Sequence, residues 1–295
     1  MILGIDWKVS SEIVDGWSTP NWYGILFVGG MMIGYYLVRN MFKRELVHEQ
    51  YLDKLLLYVV PATIIGARLG HVLFYGPWFD GYNSEGIFEE GYFSHPETIF
   101  QVWKGGLASH GAALVILLML FVYSKKVVKR PMLWILDRVV VAIALAGCCI
   151  RLGNLVNHEI IGVPTDLPWG FKFYNEEMKY LVNGEHVFRH PSQLYEALLY
   201  MLSFVILYRM YWKTEARYQQ GKIFGAFMIL IWSARFIVEF VKEGQSSFDE
   251  SGVALNTGQL LSIPFVILGL YLFFRKQKPE AKEAYKSLVD TPLNA

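Results

Sequence analysis

Seven long apolar stretches limit what this chain can fold into more strongly than any other feature of its sequence. An α-helix rises about 1.5 Å per residue, so about 20 apolar residues cross the roughly 30 Å hydrocarbon core of a bilayer. Pro61 and Pro264 lie inside two of the stretches, and we expect kinks rather than helix ends there because neighbouring helices can satisfy the freed carbonyls. The sequence thus predicts an all-α polytopic membrane protein with seven transmembrane helices near residues 21–38, 54–75, 106–123, 134–153, 193–211, 223–242 and 257–274.

The composition supports the membrane assignment and argues against other classes. Of the 295 residues, 18% are charged and 54% are hydrophobic, whereas an ordinary soluble domain is about 25% charged. The net charge of +1, without a basic face interleaved with aromatic residues, argues against a nucleic-acid partner. Cys148 and Cys149 are adjacent in an apolar run, so we interpret them as packing residues rather than as a disulfide or a metal site. We expect neither a metal nor a cofactor.

Positive charge alternates between successive loops. The segments 39–54, 124–130 and 209–222 and the tail from Arg275 carry clusters of lysine and arginine, while the intervening segments and the N-terminus are acidic or poor in these residues. Short loops rich in lysine and arginine stay on the cytoplasmic side of a membrane. The pattern therefore predicts an N-terminus outside, a C-terminus inside and an odd number of spans.

With this orientation, the ionisable residues of the helices fall into one layer in the outer half of the membrane. A charged side chain inside a membrane costs roughly 2.5 to 3.5 kcal/mol, so such a layer is a candidate functional site. The cytoplasmic halves of most helices, by contrast, contain no ionisable group apart from tyrosine. The polar layer comprises Arg68, His71, His110, Arg151, Asn154, His190, Gln193, Glu196, Arg235 and Glu239.

Two pairs in the polar layer have helical spacing. Arg151 and Asn154 are three residues apart and Arg235 and Glu239 are four apart, so each pair shares one helix face. Two other interpretations stay open: Arg151 extending to the membrane interface from a helix end, and Arg235 pairing with Glu239 only to neutralise its charge. Two guanidiniums at head-group depth favour a phosphate, which they bind through bidentate hydrogen bonds. The predicted ligand is the head group of an anionic lipid.

Several longer motifs occur in an order that resembles the bacterial prolipoprotein diacylglyceryl transferases over nearly the whole chain. They are "WYG", "GARLGHVLFY", "VWKGGLASHGA", "RLGNLVNHEIIG", "RHPSQLYEA" and "ARFIVEF". The resemblance implies a seven-helix catalytic body over residues 1–275, with a periplasmic arm at 76–104, a small periplasmic head at 156–190 and a cytoplasmic tail at 276–295. It also implies a multi-pass protein of the bacterial cytoplasmic (inner) membrane.

The same resemblance implies a reaction and its partners. The diacylglyceryl group of phosphatidylglycerol moves to the thiol of the lipobox cysteine in the signal peptide of a preprolipoprotein. A thioether forms and glycerol phosphate is released. This is the first step of lipoprotein maturation, and it explains why guanidiniums would stand beside a lipid phosphate.

Individual roles follow from the resemblance. His110 is the implied general base for the thiol, because an imidazole titrates near neutral pH. Arg151 and Arg235 would bind the phosphate, while Glu159 and Glu239 would orient these guanidiniums or a head-group hydroxyl. The further implied substrate-binding residues are Tyr23 and Asn154 as hydrogen-bond donors, Gly162 at a tight backbone bend, and Arg68.

The chain also departs from the family pattern. The departures are Ile150 and His158 where glycine is usual, Leu155 where phenylalanine is usual, Ile231 where many members have tyrosine, and Lys242 where arginine is usual. A catalytic tyrosine one turn before Arg235 is therefore not available to this protein. For "RHPSQLYE" we favour a structural role, in which His190, Gln193 and Glu196 cap and brace the fifth helix.

Non-enzymatic functions could use the same polar layer. An anionic-lipid-binding receptor or chaperone would need the arginines without turnover, and a lipid flippase would need polar groups that continue into the cytoplasmic half, which these helices lack. A transporter would place its site near the midplane between related halves, and the chain shows no such repeat. Glycine pairs four residues apart, such as Gly66 and Gly70, predict close helix packing instead.

Overall fold

The computed structural model describes residues 4–14, 16, 20–82, 88–102, 105–175, 180–244 and 255–294. Seven of its helices are long and apolar enough to cross a membrane, which confirms the predicted spans. They are α1 (Trp22–Arg44), α2 (Glu49–Phe74), α3 (Ser109–Tyr123, continued by a π-helical turn at Ser124–Val128), α4 (Met132–Val156), α5 (Ser192–Lys213), α6 (Lys222–Val238, continued by a 3-10 turn at Glu239–Val241) and α7 (Thr257–Phe274). Pro61 and Pro264 lie within α2 and α7, and both helices continue past them, as predicted.

An eighth helix, α8 (Pro279–Asp290), occupies most of the predicted tail. Tyr285 and Val289 lie four residues apart and are both buried, which gives the helix one packed face. The Tyr285 hydroxyl accepts a hydrogen bond from Arg138 Nη1 at 3.4 Å, and Asp290 Oδ1 accepts one from the Tyr218 hydroxyl at 3.1 Å. Most of the predicted tail is therefore an amphipathic helix, which was not among the predicted elements.

The chain divides into two compact units, and their boundaries fall inside α1, inside α4 and just after α8. The first unit comprises Met1–Met41 and Leu136–Thr291, and its helical core is built from buried side chains of α4, α5 and α6. The second unit comprises Phe42–Ile135 and Pro292–Ala295 and contains α2 and α3. Most of the predicted polar layer belongs to the first unit.

A small sheet in the first unit forms the core of the predicted head. Its strands are β1 (Ile5–Trp7), β4 (Phe171–Phe173) and β5 (Phe188–Arg189); β1 pairs parallel with β4, and β4 pairs antiparallel with β5. Leu155 and Ile161 form one buried cluster with Phe173 of β4, and all three residues are at most 5% exposed. The Trp7 indole Nε1 donates to the Leu155 carbonyl at 3.0 Å. The N-terminal strand thus pairs with residues of the predicted head, although it lies outside the range 156–190.

Close glycine packing joins α2 to α3 in the second unit. A Cβ atom on Gly70 would lie 2.7 Å from the Gly111 Cα atom, and one on Gly66 would lie 2.7 Å from the Gly111 carbonyl oxygen. Any larger residue at these positions would separate the helices. The described part of the predicted arm contains a short hairpin, in which β2 (Gly81–Tyr82) pairs antiparallel with β3 (Phe88–Glu89).

Candidate active site

Arg151 lies in the last two turns of α4 and is held by two side chains. Its Nε lies 2.7 Å from Oε2 of Glu196 on α5, and its Nη1 donates to Oδ1 of Asn154 at 3.2 Å. The Arg151 side chain is 15% exposed and the Glu196 side chain 1% exposed. Arg151 is therefore the positive half of a buried ion pair, and Asn154 accepts one N–H of its Nη1.

Glu196, for which the sequence favoured a role as a brace of the fifth helix, belongs to this candidate site. Its contact with Arg151 joins two helices that are separate in sequence, so no local spacing indicates it. In the sequence, the only indication of this pair is that Glu196 and Arg151 have similar predicted depths in the polar layer. A buried carboxylate needs a cationic or hydrogen-bonding partner.

Asn154 connects Arg151 to Glu159. The Asn154 Nδ2 donates to Glu159 Oε2 at 3.0 Å, and Asn157 Nδ2 donates to Glu159 Oε1, also at 3.0 Å. The Glu159 backbone N–H donates to the Asn154 carbonyl at 3.0 Å, which fixes the chain as it leaves α4. Two amides therefore orient the Glu159 carboxylate, and its link to the Arg151 guanidinium runs through Asn154.

Glu159 sits in a turn whose two neighbouring residues have left-handed backbone conformations. His158 and Ile160 both have φ of 57°, a conformation that costs a residue with a side chain about 1 to 3 kcal/mol. The first turn of α5 holds this backbone: the Ser192 hydroxyl donates to the Ile160 carbonyl at 2.7 Å, and Gln193 Nε2 donates to the Glu159 carbonyl at 2.5 Å. "RHPSQLYE" thus positions the turn that carries Glu159.

The left-handed φ explains why glycine suits position 158, and hydrogen bonds explain how histidine is tolerated there. The His158 Nε2 lies 2.9 Å from the Val9 carbonyl, and its Nδ1 accepts from the Asn175 backbone N–H at 3.3 Å. These two partners select the neutral tautomer with its hydrogen on Nε2. Burial lowers the pKa of His158, and nearby His186 lowers it further, against the opposing effect of the Val9 carbonyl.

Gly162 lies where three backbone segments cross. A Cβ atom on Gly162 would lie 2.5 Å from the His190 carbonyl oxygen and 2.6 Å from the Val241 carbonyl oxygen. The Gly162 N–H donates to the His190 carbonyl at 3.0 Å, and the Val163 N–H donates to the Val241 carbonyl at 3.0 Å. The φ of Gly162 is not positive, so close approach rather than a left-handed bend requires glycine here.

Arg235 is held less tightly than Arg151. Its Nε lies 3.7 Å from Oε1 of Glu239, whose carboxylate is closer to other donors: Lys242 Nζ at 2.9 Å and Asn256 Nδ2 at 3.2 Å. The Arg235 guanidinium lies 5.7 Å from the centre of the Trp232 ring, and its side chain is 31% exposed. The predicted Arg235–Glu239 pair is present, but Lys242 and Asn256 fix the carboxylate and leave the guanidinium accessible.

Tyr23 belongs to the same cluster. Its ring packs directly on the backbone of Gly153, where a Cβ atom would lie 2.6 Å from Cδ2 of the ring. Its hydroxyl is within electrostatic range of both Glu159 and Arg151. α1 thus brings Tyr23 against the end of α4, next to the Arg151–Asn154–Glu159 chain.

Arg68 and His110 belong to the second unit. Arg68 is 6% exposed and donates to four backbone carbonyls: Thr98 at 2.6 Å, Ile99 at 2.8 Å, Gly105 at 2.7 Å and Gly106 at 3.1 Å. The guanidinium therefore anchors the segment that leads into α3. His110 lies in the first turn of that helix, where it is exposed.

Seven apolar helices define a polytopic membrane protein. Its polar site is a cluster of arginines, carboxylates and an amide on α4, α5 and α6, next to Tyr23 of α1. The family model described as prolipoprotein diacylglyceryl transferase matches residues 14–275. The chain belongs to this family.

Relatives from different bacteria resemble the chain over most of its length. A protein of Porphyromonas gingivalis is 42% identical over 263 residues, which cover 87% of this chain and 89% of the relative. A protein of Tolumonas auensis is 40% identical and covers 94% of this chain and 99% of its own length. A protein of Chloroherpeton thalassium is 38% identical, with 93% and 95% covered. All three carry the name phosphatidylglycerol–prolipoprotein diacylglyceryl transferase.

Proposed function

We propose that this chain transfers the diacylglyceryl group of phosphatidylglycerol to the lipobox cysteine thiol of preprolipoproteins. The observation that carries the proposal is family membership over residues 14–275, together with relatives named for this activity. The arginine cluster supports it, because guanidiniums bind phosphate oxygens through charge-assisted, often bidentate hydrogen bonds. The substrate cysteine reacts as part of a signal peptide held in the membrane.

The reaction exchanges one bond for another. The bond between the diacylglyceryl carbon and its phosphate oxygen breaks, and its electron pair stays on the oxygen of the departing glycerol phosphate. The cysteine sulfur forms a new C–S bond at that carbon, and the thiol proton passes to a base. Guanidiniums that meet the phosphate stabilise the charge that grows on the leaving oxygen, so they bind the transition state better than the ground state.

Arg235 and Arg151 are the proposed phosphate ligands. Arg235 is the more exposed of the two and is the first contact for an incoming head group. Arg151 would meet the phosphate with the Nη hydrogens that Asn154 does not accept, because Glu196 lies against its Nε. Glu196 orients Arg151, and Glu239, itself fixed by Lys242, sets the position of Arg235.

The remaining polar residues of the cluster would contact the glycerol of the head group. Glu159 is the proposed acceptor for a glycerol hydroxyl, and Tyr23 and Asn154 are proposed donors beside it. Gly162 contributes no functional group; it allows three backbone segments to approach behind the site.

His110 is the proposed base that takes the thiol proton, and Arg68 is proposed to act on it indirectly. Arg68 was a predicted lipid contact, but four backbone carbonyls use its donors. We therefore assign Arg68 to holding the segment before α3, and thereby the start of the helix that carries His110.

The proposed setting is the cytoplasmic (inner) membrane of a bacterium. The N-terminus and the head lie outside, and the C-terminus lies inside, as the loop charges predict. The catalytic body spans residues 1–275, and residues 276–295 form the cytoplasmic tail. Under this arrangement the site faces the outer leaflet, where the secreted part of a preprolipoprotein emerges.

A reconstituted transfer assay tests the proposed function. Purified protein is mixed with phosphatidylglycerol vesicles and a lipobox peptide, and the peptide mass and free glycerol phosphate are measured. We expect the peptide to gain the mass of one diacylglyceryl group, and one free glycerol phosphate to be released for each modified peptide. A peptide whose cysteine is replaced by serine should show neither change. Lipid binding or lipid movement across the bilayer without a mass gain would instead support the receptor or the flippase.

The choice of lipid gives a second readout of the same assay. Phosphatidylethanolamine presents a phosphate of the same charge but adds an ammonium group, which the arginines repel. We expect phosphatidylglycerol to be used well and phosphatidylethanolamine poorly. Equal turnover of the two lipids would contradict electrostatic selection by the arginine cluster.

A further inference from the structure

Tyr200 is a buried polar residue that none of the proposed steps uses. It lies on α5 one turn beyond Glu196 and is 7% exposed. Its ring packs against Gly147, one turn before Arg151 on α4, and lies in one cluster with Ala234, the residue before Arg235 on α6. Its hydroxyl is within electrostatic range of both arginines and of Glu196. Tyr200 is therefore a neutral polar group beside both candidate phosphate ligands.

The ring of Tyr200 is surrounded by apolar residues, so the packing of the ring can be considered separately from the contacts of its hydroxyl. Tyr200 packs in an apolar cluster with Cys148, Ala197 and Ala234. On α4, Gly147 makes room for the ring, because a Cβ atom there would lie 3.1 Å from Cδ2 of Tyr200. A phenylalanine would fill the same space, so packing alone does not require the one polar atom that reaches the arginines.

Three partners on Arg151 define its orientation better than two. Glu196 holds Nε and Asn154 holds Nη1, but both contacts leave the planar guanidinium able to tilt. A phenol oxygen adds a third restraint and, unlike another carboxylate, leaves the positive charge available to a phosphate. The neutral Tyr200 hydroxyl is thus suited to orienting the Arg151 guanidinium, which must still bind the lipid phosphate.

We propose that Tyr200 is a positioning residue that holds the Arg151 guanidinium at a fixed orientation relative to Arg235, so that both meet one lipid phosphate. This inference rests on the proposed function. Ile231 on α6 packs against the same cluster, so a tyrosine at that position would supply a hydroxyl from the neighbouring helix.

Removing only the hydroxyl tests the proposal. Tyr200→Phe should lower the turnover number of the transfer assay by about 10- to 100-fold, and should change the KM for phosphatidylglycerol less. This loss is smaller than the roughly 100- to 1,000-fold cost of removing a direct transition-state contact, because Tyr200 acts through Arg151. The shape of the pH profile should not change, because Tyr200 moves no proton. Tyr208→Phe, two turns further along α5 and packed against Phe204 and Trp212, is the matched control and should retain wild-type turnover.

Coupling between variants distinguishes positioning from packing. If Tyr200 acts through Arg151, Tyr200→Phe should cost less than about threefold in an Arg151→Lys background, since residues in one network are not additive. Tyr200→Phe combined with Ile231→Tyr should recover most of the lost turnover by supplying a hydroxyl from the neighbouring helix. This double variant also tests the idea if Tyr200→Phe alone fails to fold.

The outcomes separate the two proposals. Absence of transfer by the wild-type protein would reject the proposed function itself. Wild-type transfer with Tyr200→Phe within twofold of wild type would overturn the positioning role. Losses that multiply in the Arg151→Lys background would overturn it as well, because they would show that Tyr200 acts independently of Arg151.

Discussion

The Nε atom of Arg151 lies 2.7 Å from Oε2 of Glu196, and this pair joins the end of α4 to the second turn of α5. Glu196 is 1% exposed, so it has no access to water that could replace the guanidinium. Breaking a buried pair by removing one partner costs about 3 to 5 kcal/mol, whereas the intact pair contributes little net stability. We therefore infer that the main role of this contact is to orient Arg151.

Replacing Arg151 by lysine tests whether the arginine supplies geometry or only charge. A lysine ammonium lacks the planar fork of donors with which the guanidinium can contact Glu196, Asn154 and a phosphate at the same time. We expect Arg151→Lys to fold but to lose at least about 100-fold in turnover, with Arg151→Ala worse. Turnover of Arg151→Lys within a few-fold of wild type would show that position 151 needs only a positive charge and would move the leaving-group contact to Arg235.

Replacing Glu196 by glutamine tests the orienting role. Glutamine keeps the size of the side chain but removes the charge that holds Arg151 Nε, so we expect turnover to fall by more than about tenfold and thermal stability to fall with it. Ser203→Ala is the control on the same helix, because Ser203 is buried and its hydroxyl donates to the Leu199 carbonyl at 2.7 Å. The prediction is wrong if Glu196→Gln and Ser203→Ala have the same turnover.

His110→Gln tests the assignment of the general base. Glutamine retains hydrogen bonding but cannot accept the thiol proton, and loss of a general base typically costs about 10²- to 10⁴-fold in rate. Binding of phosphatidylglycerol should survive, and the limb of the pH profile due to the base should disappear. If turnover and the pH profile both stay unchanged, His110 is a packing or head-group residue.

The head should lose stability in mild acid because of His158. Its folded-state pKa lies below the ordinary value of 6.5, so the unfolded head takes up a proton first as the pH falls. Stability should be constant above about pH 6.5 and should fall as the pH drops towards the folded-state pKa. Hydrogen exchange of residues 4–9 and 171–175, corrected for the intrinsic rate, measures this opening.

A matched variant isolates the contribution of His158. His158→Asn cannot titrate, and asparagine tolerates the left-handed conformation better than most residues. We expect this variant to be less protected at neutral pH, because it loses the contact with Val9, but to depend less on pH. The same acid-induced opening in both proteins would assign the effect to another group.

Cysteine labelling tests the predicted orientation. Suitable probe sites are the exposed residues Glu185 in the predicted head and Ser287 on α8. In a chain whose native cysteines are replaced by alanine, Glu185→Cys should react with an impermeant maleimide in cells whose inner membrane is intact. Ser287→Cys should react only after that membrane is opened. Labelling of both before opening would reject an outside head with an inside C-terminus.

The sequence by itself determines the class of protein and the seven helices. Hydrophobic length is a local property, since each helix satisfies its own backbone hydrogen bonds and needs only enough apolar residues to cross the bilayer. Arg151 and Arg235 were also evident, because a guanidinium in an apolar helix is costly and stands out without knowledge of its neighbours.

Only the tertiary structure decides which polar groups act on one another. The Arg151–Glu196 pair, the support of the 158–160 turn by Ser192 and the pairing of β1 with β4 all join segments that are far apart in the chain. Helical periodicity relates residues within about one turn of each other, so it cannot assign such partners. For the same reason Arg68 looked like a ligand contact, although the backbone carbonyls of a later segment use its donors. A sequence shows where polar groups cost energy in a membrane, and the packing of its helices and loops determines what each group binds.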